Sequence, residues 1–200
     1  MKRALIHAAL ASPAVLLALG WQYGRLGVDP QKTLIWETGI WTINLLILVV
    51  LMPRVARWAH WPAVIGCRRA VGLWAFVYAS THFLFFVTFL LGWDIMRLGS
   101  EIVERPYVLV GFNAWLILLA MAVTSTRGWV RRLGRRWRRL HTLVYVALVL
   151  AAVHYGLMIR SDWGWPVAYA SVVLLLVGLR VFRRGAPAPE SAKRREMGLR

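Results

Sequence analysis

The sequence predicts an all-α integral membrane protein, a bundle of six transmembrane helices with both termini in the cytoplasm. Three observations predict this fold. The 200-residue chain is 60% hydrophobic, whereas soluble domains contain about 45–50% apolar residues. Six apolar windows approach or reach the length of about 20 residues that a bilayer requires. Basic residues alternate across these windows, as the preference of positive loops for the cytoplasm requires.

The six windows cover roughly residues 4–20, 36–52, 71–91, 107–124, 141–159 and 165–182. The first window is short and contains Pro13. Because it follows Met1, Lys2 and Arg3, it can be interpreted either as a cleaved signal peptide or as a retained span. We favour a retained span. No A-x-A cleavage site closes the window, and its removal would upset the alternation of charge.

The charge alternation sets the orientation of the bundle. With the amino terminus inside, the inner segments hold 20 basic residues and the outer segments hold five. The inner residues are Lys2, Arg3, Arg54, Arg57, Arg68, Arg69, Arg127, Arg131, Arg132, Arg135, Arg136, Arg138, Arg139, Arg180, Arg183, Arg184, Lys193, Arg194, Arg195 and Arg200. Six of the eight acidic residues fall outside. Adding or removing one span would break this pattern.

The chain divides into one domain and a tail. Residues 1–184 form the six-helix domain, and no internal repeat is evident in them. Their connecting loops are short, so we expect consecutive spans to pack as antiparallel neighbours. Residues 185–200 combine Pro, Ala and charged residues with few large apolar groups. This composition predicts a disordered, basic cytoplasmic tail.

Composition also excludes several functions. In a soluble protein, the net charge of +17 would suggest nucleic acid as a partner. Here the cationic clusters flank apolar runs. The expected partner is therefore the lipid bilayer and not nucleic acid. A single cysteine, Cys67, excludes an internal disulfide, a CxxC pair and a cysteine-ligated cluster. No GxGxxG or GxxxxGK[ST] motif indicates a nucleotide-binding domain.

Two histidines fall at the same depth in parallel spans. His82 lies 13 residues beyond Arg69 and His154 lies 15 residues beyond Arg139, which places them about 20 and 22 Å from the inner charged edge. Imidazoles at one height can ligate one haem from opposite faces, an arrangement suited to electron transfer. The alternative is that both are polar residues hydrogen-bonded between helices.

A third histidine points to a second, inner site. His141 lies 13 residues before His154, about 140° away around an ideal helix, so the two rings do not share a face. At the height of His141 the third span carries Arg68 and Arg69, which cannot replace histidine as iron ligands. They are candidates to bind haem propionates or a flavin phosphate. The alternative is that they anchor the inner end of the span.

Several phrases of the sequence resemble one known family. The phrases are LGVDP at 26–30, RRAVGLW at 68–74, TH at 81–82, RPY at 105–107, TST at 124–126, LGRRWRRLH at 133–141, VY at 144–145 and HY at 154–155. Over about residues 20–182 the chain resembles the MsrQ (YedZ) family, which belongs to the ferric-reductase-like transmembrane group. These proteins are haem-binding membrane subunits of the bacterial MsrPQ methionine sulfoxide reductase system.

The resemblance implies a multi-pass protein of the bacterial inner membrane that transfers electrons and is not itself the catalytic subunit. It implies that electrons flow from a cytoplasmic NAD(P)H-flavin reductase, through haem b, to the periplasmic molybdenum reductase MsrP. FMN is also reported as a cofactor of the family. MsrP repairs methionine sulfoxide in envelope proteins. The haem-associated histidines of the family correspond to His82, His141 and His154. The broader group has two histidines on each of two helices, whereas this chain has one on its third span, so a second haem stays open.

Two alternatives to this function remain at this point. A related transmembrane cytochrome b could reduce a ferric or cupric complex outside the membrane. A cofactor-free transporter or assembly factor could instead use the intramembrane histidines to relay protons. A purified protein without colour would favour the second alternative.

Overall fold

The computed structural model describes residues 2–185, and it is an all-α bundle. Within these residues six helical stretches are long and apolar enough to cross a membrane, and they coincide with the six predicted windows. The all-α fold and the six spans are therefore confirmed, and the chain is a multi-pass membrane protein. The tail expected at 185–200 lies outside the described residues, apart from Gly185, which ends the last helix.

The bundle is built from nine α-helices within residues 2–185. They are α1 (Lys2–Gln22), α2 (Pro30–Trp58), α3 (Ala63–Phe85), α4 (Ile95–Glu104), α5 (Pro106–Val123), α6 (Arg127–Leu133), α7 (Arg135–Thr142), α8 (Val144–Met158) and α9 (Gly164–Gly185). A π-helical turn, Phe86–Leu91, extends α3. The fifth span combines α7 and α8.

The second span forms the centre of the bundle. Of its most apolar 18-residue stretch, 44% of residues are buried, against 6% for the first span. Its most extensive packing is against α3, while α5 packs mainly against α8, and α8 also contacts α9. The buried core is shared between these helices and is formed mainly by Leu46, Val50, Ala75, Tyr78, Val144, Ala147 and Leu148.

The start of α2 shows how local sequence sets a helix boundary. Pro30 occupies the first turn, where the missing N–H costs nothing, and the Asp29 carboxylate accepts a hydrogen bond from the backbone N–H of Lys32. The Lys32 ammonium also lies 2.8 Å from that carboxylate. The hydrogen bond from the Lys32 side chain is the main reason that the pKa of Asp29 lies below its ordinary value.

Two segments that lie largely between the predicted windows are helical where only loops were expected. The helix α4 separates its apolar from its charged residues, and Ile95, Met96 and Val103 on its apolar side are 70%, 84% and 80% exposed. Such a helix is typical of a membrane surface. The arginine-rich segment forms α6 and α7, which meet at Gly134 with a φ of +48°. Glycine reaches this conformation without the steric cost of a side chain.

The first span is tied to the third by a tyrosine hydroxyl. Pro13 lies inside α1, and close to it the Tyr78 hydroxyl takes the place of one backbone hydrogen bond. The hydroxyl accepts from the N–H of Ala14 at 3.1 Å and donates to the carbonyl of Leu10 at 2.9 Å. Insertion of a side chain into the backbone ladder is a known cause of helix bending. The contact joins α1 to α3.

We expect Tyr78→Phe to lower the thermal stability of the purified protein. The substitution removes the hydroxyl that joins the Ala14 N–H to the Leu10 carbonyl, so α1 must change shape before these two groups can bond each other at a depth where water is scarce. Loss of such a partner costs about 1–3 kcal/mol. The midpoint of thermal unfolding in detergent, followed by circular dichroism, measures the effect. Tyr23→Phe is the matched control, since Tyr23 is 70% exposed. Equal midpoints for the two variants would contradict the proposed role of the hydroxyl.

Candidate functional site

The structure brings His82 and His154 together between α3 and α8. Their ring centroids lie 6.0 Å apart, and the ring planes are nearly perpendicular, at 88°. The meeting of these two residues, predicted from their equal depth, is therefore confirmed as a geometric fact. Their role as ligands stays a prediction.

Each of the two imidazoles is held by a backbone carbonyl of a neighbouring helix. The Nδ1 atom of His82 lies 2.7 Å from the carbonyl oxygen of Ile35 on α2. The Nδ1 atom of His154 lies 2.7 Å from the carbonyl oxygen of Tyr107 on α5. Because a carbonyl oxygen only accepts, Nδ1 carries the proton in each neutral ring, and the lone pair of Nε2 is free to bind a metal.

A glycine lies against each histidine ring and makes this close approach sterically possible. A Cβ atom built on Gly39 would lie 3.1 Å from Nδ1 of His82. A Cβ atom built on Gly111 would lie only 2.7 Å from Nδ1 of His154. Each glycine stands one helical turn after the carbonyl that holds the ring. The two glycines therefore form flat surfaces of helix against which the imidazoles pack.

The two halves of the outer site repeat one spacing. The histidine follows its carbonyl partner by 47 residues in both halves. Ile35, Gly39 and His82 have counterparts 72 residues later in Tyr107, Gly111 and His154. The sequence shows no evident repeat, but the structure shows that α2 with α3 and α5 with α8 present the same histidine-binding arrangement twice.

The chemistry of this pair fits a haem better than a bare metal ion. Within residues 2–185, no group of three or more His, Cys, Asp or Glu side chains is placed to hold a metal. Two ligands are too few for a typical structural or catalytic metal ion, but porphyrin iron needs only axial ligands from the protein. Two imidazoles on opposite sides of one iron, with bonds of about 2 Å, have centroids roughly 6 Å apart.

A second site is the inner cavity, which has a volume of about 1050 Å³. Apolar residues of α2, α3 and α5 form part of its wall. Its polar lining consists of Arg68, Arg69, Arg127, Arg131, Arg138, Arg180, His141, Tyr145, Trp137, Ser125 and Thr142. No carboxylate is among the residues that line it. Six arginines with no carboxylate among the lining residues of the described chain make this cavity a candidate binding site for an organic anion.

The structure places His141, Arg68 and Arg69 together in this cavity, as the sequence predicted. The His141 ring stacks on Trp137 with centroids 3.9 Å apart, and its Nδ1 atom lies 3.2 Å from the Trp137 carbonyl. Arg180 of α9 lies over the Tyr145 ring, 4.0 Å from its centroid. His141 thus belongs to the inner cavity and not to the His82–His154 pair.

Comparison with known proteins identifies the family. Residues 38–152 match the family model described as ferric reductase like transmembrane component. The chain is 38% identical over 200 residues to the "Protein-methionine-sulfoxide reductase heme-binding subunit MsrQ" of Xanthomonas euvesicatoria pv. vesicatoria, covering 96% of this chain and 91% of the relative. The chain belongs to the MsrQ family.

Two other MsrQ proteins support the same assignment. The protein from Xanthomonas campestris pv. campestris (strain 8004) is 39% identical over 187 residues, which cover 90% of this chain and 85% of that protein. The protein from Yersinia pseudotuberculosis serotype O:1b is 39% identical over 176 residues, which cover 88% and 87%. The resemblance to the MsrQ family recognised in the sequence motifs is confirmed.

Sequence reasoning missed several residues of both sites in this MsrQ-family chain. Gly39 and Gly111 were not among the predicted site residues. The spacing from Gly39 to His82 equals the spacing from Gly111 to His154, and this repeat in the sequence could have revealed them. Arg180 was counted only as an inner positive charge. Trp137 was noted within a motif, and Tyr145 likewise, but neither was assigned to the inner site. Only the folded bundle shows that they line one cavity with Arg68.

We expect Gly111→Ala to destabilise the protein more than Gly39→Ala. The added methyl group meets His154 at 2.7 Å in the first variant and His82 at 3.1 Å in the second. Overpacking of this kind typically costs about 1–3 kcal/mol. Thermal unfolding of the purified protein measures both effects. Gly156→Ala is the control, because its new Cβ would meet nothing within 4 Å. If Gly156→Ala lowered the stability as much as Gly111→Ala, the steric argument would be refuted.

Proposed function

We propose that this chain is the membrane electron-transfer subunit of a methionine sulfoxide reductase system of the bacterial inner membrane. It binds haem b through His82 and His154 and passes electrons from a cytoplasmic NAD(P)H-flavin reductase to a periplasmic MsrP-like molybdenum reductase, which repairs oxidised envelope proteins. The relatives named MsrQ are heme-binding subunits by name. The His82–His154 pair is the observation that carries the proposal for this chain.

The pair has the properties that a haem-binding site at bilayer depth needs. Both Nδ1 atoms are bonded to backbone carbonyls, which fixes the ring orientation and increases the basicity of Nε2. When bound, the haem iron carries one electron at a time. His82 and His154 would hold the haem through the free Nε2 atoms of their imidazoles. With both imidazoles bound to the group, electron transfer would be favoured over reaction with a small substrate.

The orientation of the chain gives the electron path its direction. Both termini are proposed to lie in the cytoplasm, because the excess of basic residues then falls on the inner side throughout. The histidine pair lies in the half of the bundle away from the arginine-rich segment, and thus near the periplasm. The inner surface, which carries α6 and α7, offers positive charge to an acidic donor protein, and this charge would increase the rate of encounter.

The inner cavity is proposed to bind a second cofactor between the donor and the outer haem. Its arginines suit the phosphate of FMN or the propionates of a haem, and its Trp137–His141 stack suits a planar ring. FMN is the stronger candidate, because His141 has an arginine and not a second histidine opposite it on α3. One haem b and one FMN is therefore the proposed cofactor content.

We expect His82→Ala and His154→Ala to abolish the haem absorbance of the purified protein, whereas His141→Ala keeps it. Each of the first two substitutions removes one of only two axial ligands. The Soret band and a pyridine haemochrome assay measure haem content, and His60→Ala is the control for a histidine outside both sites. Perpendicular imidazole planes further predict a strongly anisotropic low-spin ferric signal in electron paramagnetic resonance. Full haem retention in His82→Ala would refute the ligand assignment.

We expect the protein in proteoliposomes to transfer electrons from a donor on one side of the membrane to an acceptor on the other side. A flavin reductase with NADPH is supplied on the side of α6 and α7, and a periplasmic methionine sulfoxide reductase with its substrate is supplied on the other side. NADPH oxidation that depends on both the acceptor and His82 supports the proposal. Equally fast reduction of a ferric complex without the acceptor would favour a ferric reductase. A colourless, folded protein would favour a transporter or assembly factor.

A further inference from the structure

A proline in α2 leaves one backbone carbonyl without its helical partner. Pro53 lies inside the helix and has no N–H to donate to the carbonyl of Val49, one turn earlier. In a membrane an unpaired carbonyl costs several kcal/mol and must find another donor. Val49 also lines the inner cavity. The missing N–H of Pro53 therefore leaves a hydrogen-bond acceptor at the wall of that cavity.

Arg68 of α3 supplies the missing donor. Its Nε atom donates to the Val49 carbonyl at 3.1 Å. This bond uses the one guanidinium nitrogen that lies nearest to the chain. It leaves both terminal nitrogens, which can make the paired hydrogen bonds that recognise phosphate or carboxylate. Lysine could not present the same pair of terminal nitrogens, because all three of its N–H groups lie on one nitrogen.

The residue after Pro53 also contacts the helix that carries Arg180. Arg54, next to Pro53, donates from Nη2 to the carbonyl of Leu176 on α9 at 2.9 Å, and from Nη1 to the Val50 carbonyl at 3.2 Å. Leu176 precedes Arg180 by one helical turn. Hydrogen bonds around this position of α2 therefore contact two of the helices that contribute arginines to the cavity, α3 with Arg68 and α9 with Arg180.

The other helix-interior proline shows that this arrangement is not a general consequence of proline. Pro13 of α1 frees the carbonyl of Ala9, and the neighbouring Ser12 hydroxyl donates to it at 2.9 Å. That solution is local and recruits no charged residue. At Pro53 the residue before the proline is Met52, which has no donor, so the carbonyl is left for Arg68.

We propose that Pro53 is a positioning residue for the inner site, which aims Arg68 at an anionic ligand by exposing the Val49 carbonyl. The inference rests on the proposed function, in which the inner cavity binds a phosphate-bearing cofactor. Pro53 does not touch the ligand. It acts through Arg68, and the adjacent Arg54 holds the Arg180 helix in place.

A double-mutant cycle tests the link between Pro53 and Arg68 without any ligand. Arg68→Met should lower the thermal unfolding midpoint in the native background, because methionine has no N–H and the Val49 carbonyl then loses its donor. The same substitution should cost clearly less beside Pro53→Ala, since the new N–H of residue 53 bonds that carbonyl. Pro13→Ala is the matched control and should leave the effect of Arg68→Met unchanged. Equal effects of Arg68→Met in all three backgrounds would overturn the inference.

A ligand titration tests the consequence for the inner site. FMN is added to the full-length haem-loaded protein, and quenching of its fluorescence reports binding. Pro53→Ala should weaken binding about tenfold, as expected for the loss of one well-placed hydrogen bond to a charged group, and Arg68→Lys should weaken it similarly. Pro13→Ala should not change it, and the Soret band should stay intact in all variants.

The outcomes separate the inference from the proposed function. Unchanged FMN affinity in Pro53→Ala would overturn the positioning role in ligand binding. If the stability cycle shows coupling but the unsubstituted protein does not bind FMN, the structural link between Pro53 and Arg68 stands and the proposed flavin site fails. Loss of haem in Pro53→Ala would also overturn the inference, because the proline would then support the whole bundle and not the inner site.

Discussion

The structure depends on one constraint, the need of backbone carbonyls for hydrogen-bond donors where water is absent. At five places among residues 2–185 a side chain from one helix bonds a carbonyl of another, and each bond involves a residue of structural or proposed functional importance. The pairs are Tyr78 with Leu10, His82 with Ile35, His154 with Tyr107, Arg68 with Val49, and Arg54 with Leu176. The helix backbone therefore orients these side chains. Prolines and glycines help to determine where a side chain of another helix can reach a backbone carbonyl.

Much of the fold and part of the outer site could be predicted from the sequence. Spans follow from hydrophobic length, and the common height of His82 and His154 follows from their distance to the inner arginines. The sequence could not show what the rings contact. The carbonyl of Ile35 lies 47 residues before His82, and only the packing of α2 on α3 brings them together. The glycines that permit this approach carry no chemical signal of their own.

The inner cavity was harder to predict because its parts come from distant segments. Arg68, His141 and Arg180 belong to α3, α7 and α9, and charge counting treats each arginine alike. The turn at Gly134 separates α6 from α7, so the arginine-rich segment does not continue as one straight helix into the fifth span. The contact of His141 with Trp137 is an i, i+4 contact within α7, but the place of this pair in the cavity depends on that turn and on the packing of α7, neither of which periodicity indicates.

The tight packing of each imidazole against helix backbone has a kinetic consequence. A ring bonded through one nitrogen to a carbonyl, and pressed against a helix that has no side chain at that point, has little freedom to tilt or slide. A metal held between two such rings could change its charge while its surroundings stay almost still. The reorganisation energy of electron exchange would then be small, and the spacing between redox centres would govern its speed.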